Sequence, residues 1–201
     1  MYVRITTAEG ATDIDAGAAF VRDDIAPQLD QQKGFRGLSL SANRETGQVS
    51  VLTIWETEGD LKASESATEK LRADSLKTLG AGPPIIEHFE EVVSEVGSVP
   101  PGAGSRLQVR RIKMAPDRVA DNLAFFTANV LPEIKSAPGF QAVRQLINRE
   151  TGEGAVGTVW ADEASLKAAE KQAEARRSTA ADRGITFGEV SYREILYTTM
   201  R

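Results

Sequence analysis

The chain contains itself twice. Gly34-Phe35 returns as Gly139-Phe140, Asn43-Arg44-Glu45-Thr46-Gly47 as Asn148-Arg149-Glu150-Thr151-Gly152, and Leu61-Lys62-Ala63 as Leu166-Lys167-Ala168, all at one common offset. At that offset Phe20 meets Phe125, Pro27 meets Pro132, Trp55 meets Trp160 and Arg72 meets Arg177, with no gap between Phe20 and Leu76. Further on the offset shortens and pairs Phe89-Glu90-Glu91-Val92 with Tyr192-Arg193-Glu194-Ile195. A run of glycine and proline from Gly97 to Gly104 reads as a linker. The expected organisation is a first repeat over 1–97, a linker over 98–105 and a second repeat over 106–201. Self-similarity on this scale restricts the fold more than composition does, because each copy must be one foldable unit.

Composition mainly removes alternatives. With no cysteine among 201 residues, disulfides, iron–sulfur clusters, thiolate zinc sites and thiol catalysis are excluded. A single histidine, His88, excludes multi-histidine metal sites. The 24 basic and 29 acidic residues give a net charge of -5 with no basic cluster, a poor match to the phosphate backbone of a nucleic acid. Apolar runs are too short to span a bilayer, and Met1-Tyr2-Val3-Arg4-Ile5 opens like a strand rather than a signal peptide. The expectation is a cytoplasmic protein with no nucleic-acid or membrane partner.

Each copy shows the same order of elements. Residues 2–7 and 106–113 alternate like strands, and 14–32 and 117–136 read as helices with Pro27 and Pro132 deep inside. An interior proline removes a donor and crowds the preceding turn, so a kink or early stop is expected at both. Two strands follow, flanking the Asn-to-Gly turns at 43–47 and 148–152, and then a helix capped by Thr57 or Asp162. Closing strands fall at 85–93 and 186–197. The order β-α-β-β-α-β is the split βαβ, or ferredoxin-like, arrangement of the α+β class.

The third strand of the first copy is apolar on both sides. Val49, Val51, Thr53 and Trp55 alternate with Ser50, Leu52, Ile54 and Glu56. Two helices cover one face of such a sheet, so the other face needs a second sheet, and the second copy has one. The expected architecture is two ferredoxin-like repeats whose sheets pack into an intrachain pseudo-dimeric α/β barrel. Residues 1–97 carry 9 basic and 17 acidic groups and the remainder 15 and 12, so opposite net signs favour pairing of the copies. Drift between duplicates would explain the same difference.

These residues resemble the antibiotic-biosynthesis-monooxygenase-type domain of the dimeric α/β-barrel superfamily. The likeness rests on Pro27, Gly34-Phe35, Asn43 to Gly47, and Thr53-Ile54-Trp55-Glu56 leading to Asp60-Leu61. It is repeated at Pro132, Gly139-Phe140, Asn148 to Gly152 and Thr158-Val159-Trp160. The resemblance implies a fused dimer and a range of activities: cofactor-independent oxygenation of polycyclic phenols, haem degradation, or none assigned. Haem-degrading members are implied to combine an Asn on the first strand, the strand-end Trp and a His on the following helix. Residues 2–7 hold no Asn and the helix from Asp60 holds no His, so haem degradation is disfavoured.

The candidate site residues follow from position. Trp55 and Trp160 end matching strands and either wall a pocket for a flat substrate or close the core. Thr53 and Thr158 lie two residues earlier on the same face and join them as substrate-binding candidates. Arg4 and Arg110, on the opening strands, either hold a substrate oxyanion or are neutralised by neighbouring carboxylates. His88 is a candidate base for a phenol, or a strand histidine that is merely hydrogen-bonded, and Tyr192 is a candidate hydroxyl or a packed aromatic. The Asn-to-Gly turns are assigned no chemistry. The reading is a cofactor-independent monooxygenase for a small electron-rich phenol or hydroquinone, with no cofactor or metal. The alternatives are a binding protein for a small aromatic or apolar molecule and a structural barrel; a further homo-oligomer stays open. No glycine motif cradles a phosphate, and a flavin held by backbone groups alone would leave no signature.

Overall fold

The computed structural model describes residues 1–200, apart from the side chains of 175–180, so Arg177 lies outside the described side chains. The first repeat runs β1 (Tyr2–Ala8), α1 (Ile14–Phe20), α2 (Ala26–Asp30), β2 (Phe35–Asn43), β3 (Gln48–Trp55), α3 (Glu58–Ala63), α4 (Glu65–Leu79) and β4 (Ile85–Val96). The second runs β5 (Arg106–Lys113), α5 (Val119–Phe125), α6 (Leu131–Ser136), β6 (Phe140–Ile147), β7 (Glu153–Trp160), α7 (Glu163–Asp182) and β8 (Thr186–Thr198). Both repeats are ferredoxin-like, and the strands follow one another as a closed barrel in the order β1-β3-β2-β8-β5-β7-β6-β4. Among the described residues no helix is long and apolar enough to cross a membrane.

Compactness divides the chain into one unit of Met1–His88 with Arg193–Met200 and another of Phe89–Tyr192. In the first unit β3 is central: Arg4 and Leu38 both lie opposite Thr53, and Val3 lies opposite Ile54. The end of β8 adds to its edge, with Ser41 opposite Ile195. In the second unit β7 is central, with Gln108 and Val143 opposite Thr158, and β4 adds Glu91 opposite Leu146.

Strand alternation sends Leu38, Leu40, Val51 and Trp55 into one core with Val21, Ile25, Leu29 and Leu61 of the helices. The opposite face of the same sheet, Val3, Ile5, Ser41, Ser50 and Ile54, is buried as well, as the inside of a closed barrel requires. The second unit repeats this with Val143 and Trp160 against Leu131, Ile134 and Leu166.

At Pro27 and Pro132 the outcome differs from a kink or stop. A π-helical turn, Val21–Ile25 in one repeat and Phe126–Val130 in the other, precedes each proline, and the helix continues beyond it. One widened turn relieves the missing donor and the ring's crowding without ending the element. Both expected caps form: Thr57 Oγ1 accepts from the Asp60 N–H at 3.0 Å, and Asp162 Oδ1 from the Ser165 N–H at 2.8 Å.

The repeated motifs have mechanical roles. Gly34 and Gly139, at φ +75° and +77°, turn the chain so that their carbonyls accept from the N–H groups of Glu56 and Ala161. Phe35 and Phe140 then meet Trp55 and Trp160 edge-on, with centroids 5.5 and 6.0 Å apart. In the turns, Asn43 Oδ1 accepts from the N–H groups of Glu45 and Thr46, and Asn148 Oδ1 from those of Glu150 and Thr151. Gly47 and Gly152 end the turns at φ +71°, and their carbonyls accept from the N–H groups of Ala11 and Met114. A Cβ on Gly152 would lie 1.8 Å from the Met114 carbonyl oxygen, against 3.0 Å from the Ala11 oxygen for Gly47. Gly152→Ala is therefore expected to cost about 2–4 kcal/mol and Gly47→Ala about 1–2 kcal/mol, read from urea unfolding midpoints.

Candidate functional site

Each unit has a space between its helices and the helix-facing side of its sheet, and the two copies treat that space differently. In the first unit Arg4 enters it from β1 with only 3% of its surface exposed. Its Nη2 donates to the Leu61 carbonyl at 2.7 Å and to Ser64 Oγ at 3.1 Å, Nη1 to Thr68 Oγ1 at 3.0 Å, and Nε to His88 Nε2 at 3.3 Å. Glu65 Oε2 lies 2.7 Å from Nη2 as an ionic contact without hydrogen-bond alignment, and Arg72 holds the other Glu65 oxygen at 2.7 Å. Burial lowers the Arg4 pKa, opposed by the Glu65 charge.

This guanidinium also shapes the helix above it. Arg4 and Ser64 Oγ both donate to the Leu61 carbonyl, the acceptor that the Glu65 N–H would use in an unbroken α-helix. The helix is interrupted there, between α3 and α4. In the second unit α7 runs unbroken from Glu163 to Asp182. The sheet register places Gln108 where the first unit has Arg4, and the repeat offset places Ala169 and Ala173 where it has Ser64 and Thr68. With the plug and its partners gone, a cavity of about 140 Å³ opens, against about 60 Å³ in the first unit. A dry cavity of similar size holds one aromatic ring.

The cavity is predominantly apolar. Val156, Thr158 and Trp160 line it from β7, Phe126, Val130 and Ile134 from the helices. Arg110 and Gln108 line it from β5. Glu170, the repeat counterpart of Glu65, gathers the polar groups nearby: Gln108 Nε2 donates to it at 3.3 Å, Arg110 Nη2 lies 3.8 Å away, and the Tyr192 hydroxyl donates to it. Burial and the Glu170 hydrogen bond raise the Tyr192 pKa.

The candidates from the sequence thus fall into two groups. Arg4, Thr53, Trp55 and His88 come together in the first unit, where the Arg4 guanidinium sits 5.8 Å from the Trp55 ring centroid. Arg110, Thr158 and Trp160 line the second unit's cavity, and Tyr192 reaches Arg110 through Glu170. Thr53 and Thr158 each accept the indole N–H of the tryptophan two residues on, at 3.0 Å. His88 is exposed, and its pKa is lowered by partial burial and by the Arg4 charge.

Two lining residues escaped notice in the sequence: Asn122, 1% exposed, and Gln145, 5% exposed. Among the described residues neither Asn122 Oδ1 nor Gln145 Oε1 has a hydrogen-bond partner. Their counterparts in the first copy are Gly17 and Leu40. That contrast, polar against apolar at core-facing positions, was the available signal.

No family model matches the sequence. An uncharacterized protein of Mycobacterium tuberculosis is 28% identical over 153 residues, which cover 76% of this chain and 67% of that protein. A candidate monooxygenase from Fusobacterium nucleatum has a TM-score of 0.70 at 11% identity, covering 98% of this chain and 93% of that one. An anthrone oxidase-like protein has a TM-score of 0.65 at 14% identity, covering 98% and 92%. A ferredoxin-fold protein from Listeria monocytogenes, related to antibiotic biosynthesis monooxygenases, has a TM-score of 0.56 at 12% identity, covering 96% and 94%. At such identities the likeness is one of fold. The chain has the ferredoxin-like, barrel-forming fold of the antibiotic-biosynthesis-monooxygenase-type proteins, as its sequence motifs implied.

Replacing Arg4 by the second copy's residue, Arg4→Gln, is expected to lower stability by about 2 kcal/mol through lost charged hydrogen bonds, measured by urea unfolding. Acid should weaken the same cluster. Burial raises the Glu65 pKa, but the Arg72 hydrogen bond and the Arg4 and Arg72 charges outweigh it, so the net shift is down; His88 is shifted down too. Groups with depressed folded pKa values contribute stability above their unfolded values, 4.5 and 6.5 here, and lose it as pH falls through the folded ones. The unfolding midpoint should begin to fall below pH 6.5, and His88→Gln should flatten that first part of the decline.

Proposed function

We propose that the cavity of the second unit is the working site, and that there the chain oxygenates a small electron-rich phenol or hydroquinone without a cofactor. In the overall reaction one atom of dioxygen replaces two hydrogens of the substrate. The other atom leaves with those hydrogens as water, so the substrate supplies all the electrons. The observation that carries this reading is an apolar, ring-sized cavity walled by Trp160 with the Arg110 guanidinium on its lining. An indole wall favours a flat substrate, and a guanidinium in a largely apolar space stabilises the phenolate that reacts with oxygen. Of the two catalytic candidates, Tyr192 is connected to this cavity through Glu170, whereas His88 belongs to the other unit. A binding protein without chemistry is the second reading, supported by the neutral amides of Asn122 and Gln145 as the most deeply buried polar groups on the lining.

Oxygen uptake by the purified protein with a panel of hydroquinones and polycyclic phenols tests this. Uptake is expected without added cofactor, to fall at least tenfold in Ala173→Leu, which fills the cavity, and to persist in His88→Ala. Uptake that survives Ala173→Leu and disappears in His88→Ala would move the site to the first unit. Binding without uptake would favour the second reading.

A further inference from the structure

The first unit keeps a cavity of about 60 Å³ on the helix-facing side of its sheet, and two cations line it. Arg4 and Thr6 reach it from β1, and Thr68, Arg72 and Ser75 from α4, where spacings of four and three put them on one face. Arg4 and Arg72 share the carboxylate of Glu65, and among the described residues neither pairs with another acid. The three groups together keep one positive charge, and the Arg72 charge works against that of Arg4.

Donors are left over as well. A guanidinium has five N–H groups. Arg4 uses one on Nε, one on Nη1 and both on Nη2, so one on Nη1 stays unused. Arg72 donates through Nη2 to Glu65, which leaves its other four. Ser75 is 7% exposed, and among the described residues its hydroxyl has no hydrogen-bond partner; the oxygen is nonetheless not sealed from access. Around these groups the walls are apolar, with Val49, Val51, Leu71 and Leu76. By proportion to a cavity that holds benzene, this one takes about two to four non-hydrogen atoms. Folding does not depend on the cluster, since the second copy builds the same strands and helix with Gln108, Ala173 and Ala180 in place of Arg4, Thr68 and Ser75.

We infer that the first unit's cavity is a site for a short carboxylate, formate or acetate in size, received by the Arg4 and Arg72 guanidiniums and the Ser75 hydroxyl. The anion cancels the surplus charge, its two oxygens match the planar fork of a guanidinium, and its carbon meets the valine and leucine walls. This site is separate from the second unit's cavity and does not rest on the reading given for it.

The test exchanges sodium chloride stepwise for sodium formate or sodium acetate at constant ionic strength, with acetamide as the uncharged isostere of acetate. The indole N–H resonances of Trp55 and Trp160 are followed by NMR, because the Trp55 N–H is bonded to Thr53 on the lining of the first cavity and Trp160 lines the second. At least one of the two anions should move the Trp55 resonance saturably and leave that of Trp160 in place, and acetamide should bind at least tenfold more weakly. Ser75→Ala, which keeps both charges, and Arg72→Gln should each weaken the anion by about fivefold or more. The anion should also raise the melting temperature of the wild type, and raise it less in both variants. A shift unchanged in both variants, or acetamide binding as tightly as acetate, would overturn the assignment. So would a saturable shift at Trp160 in place of Trp55, or no saturable shift with either anion.

Discussion

A guanidinium taken out of water must be given acceptors for its N–H groups, and the first unit is arranged around meeting that demand for Arg4. A backbone carbonyl, two hydroxyls, an imidazole nitrogen and a carboxylate converge on it from α3, α4 and the start of β4. The consequences are not local. The Leu61 carbonyl is drawn out of the helical ladder, the helix is divided at Ser64, and the space between sheet and helices narrows to about 60 Å³. Trp55 is left fully buried, its N–H on Thr53 and its edge against Phe35.

The second unit answers the same packing problem without the charge. Its Trp160, Thr158, Phe140 and Gly139 keep the geometry of the first copy almost unchanged. At the positions that served Arg4 it has Gln108, Ala169 and Ala173, a shorter amide and two methyl groups. Removing a buried cation together with its hydroxyl partners leaves no charge unpaired, so the fold survives the exchange and the helix becomes continuous. The volume that the side chains surrendered remains as the cavity. The copy without the polar cluster thus holds the larger cavity.

Much of this fold was legible in the sequence because it is governed by local rules. The repeat, the element order, the Thr57 and Asp162 caps and the Asn43 and Asn148 turns each follow from neighbours within a few residues. The two-sided burial of β3 was legible too, from alternation alone. The widened turns before Pro27 and Pro132 were not, since a proline signals only that the regular ladder fails and not how the chain recovers. The division at Ser64 depends on a side chain from β1, sixty positions away in sequence, which no local pattern encodes. For the site, Trp160 and Arg110 were found by position in the strands. Asn122 and Gln145 are not legible there, because an amide in an apolar stripe reads as a satisfied core residue until its partners are counted. Arg4 and Arg110 are both opening-strand cations, yet the register matches Arg4 with Gln108 and Arg110 with Thr6, so the two arginines face different surroundings.

The comparison of copies therefore separates what the fold needs from what it merely tolerates. Features kept in both, the tryptophan with its threonine and phenylalanine and the glycines at positive φ, are the geometry of the unit. The buried arginine of one copy is surrounded by acceptors from its own unit. Orphaned amides and unfilled volume in the other copy have the opposite character: each lowers the stability of the empty protein, and the sister copy shows the same elements forming without them. Marginal stability leaves little room for such costs unless something that enters the cavity offsets them. That imbalance between two copies of one sequence favours a ligand whether or not the ligand is then oxidised.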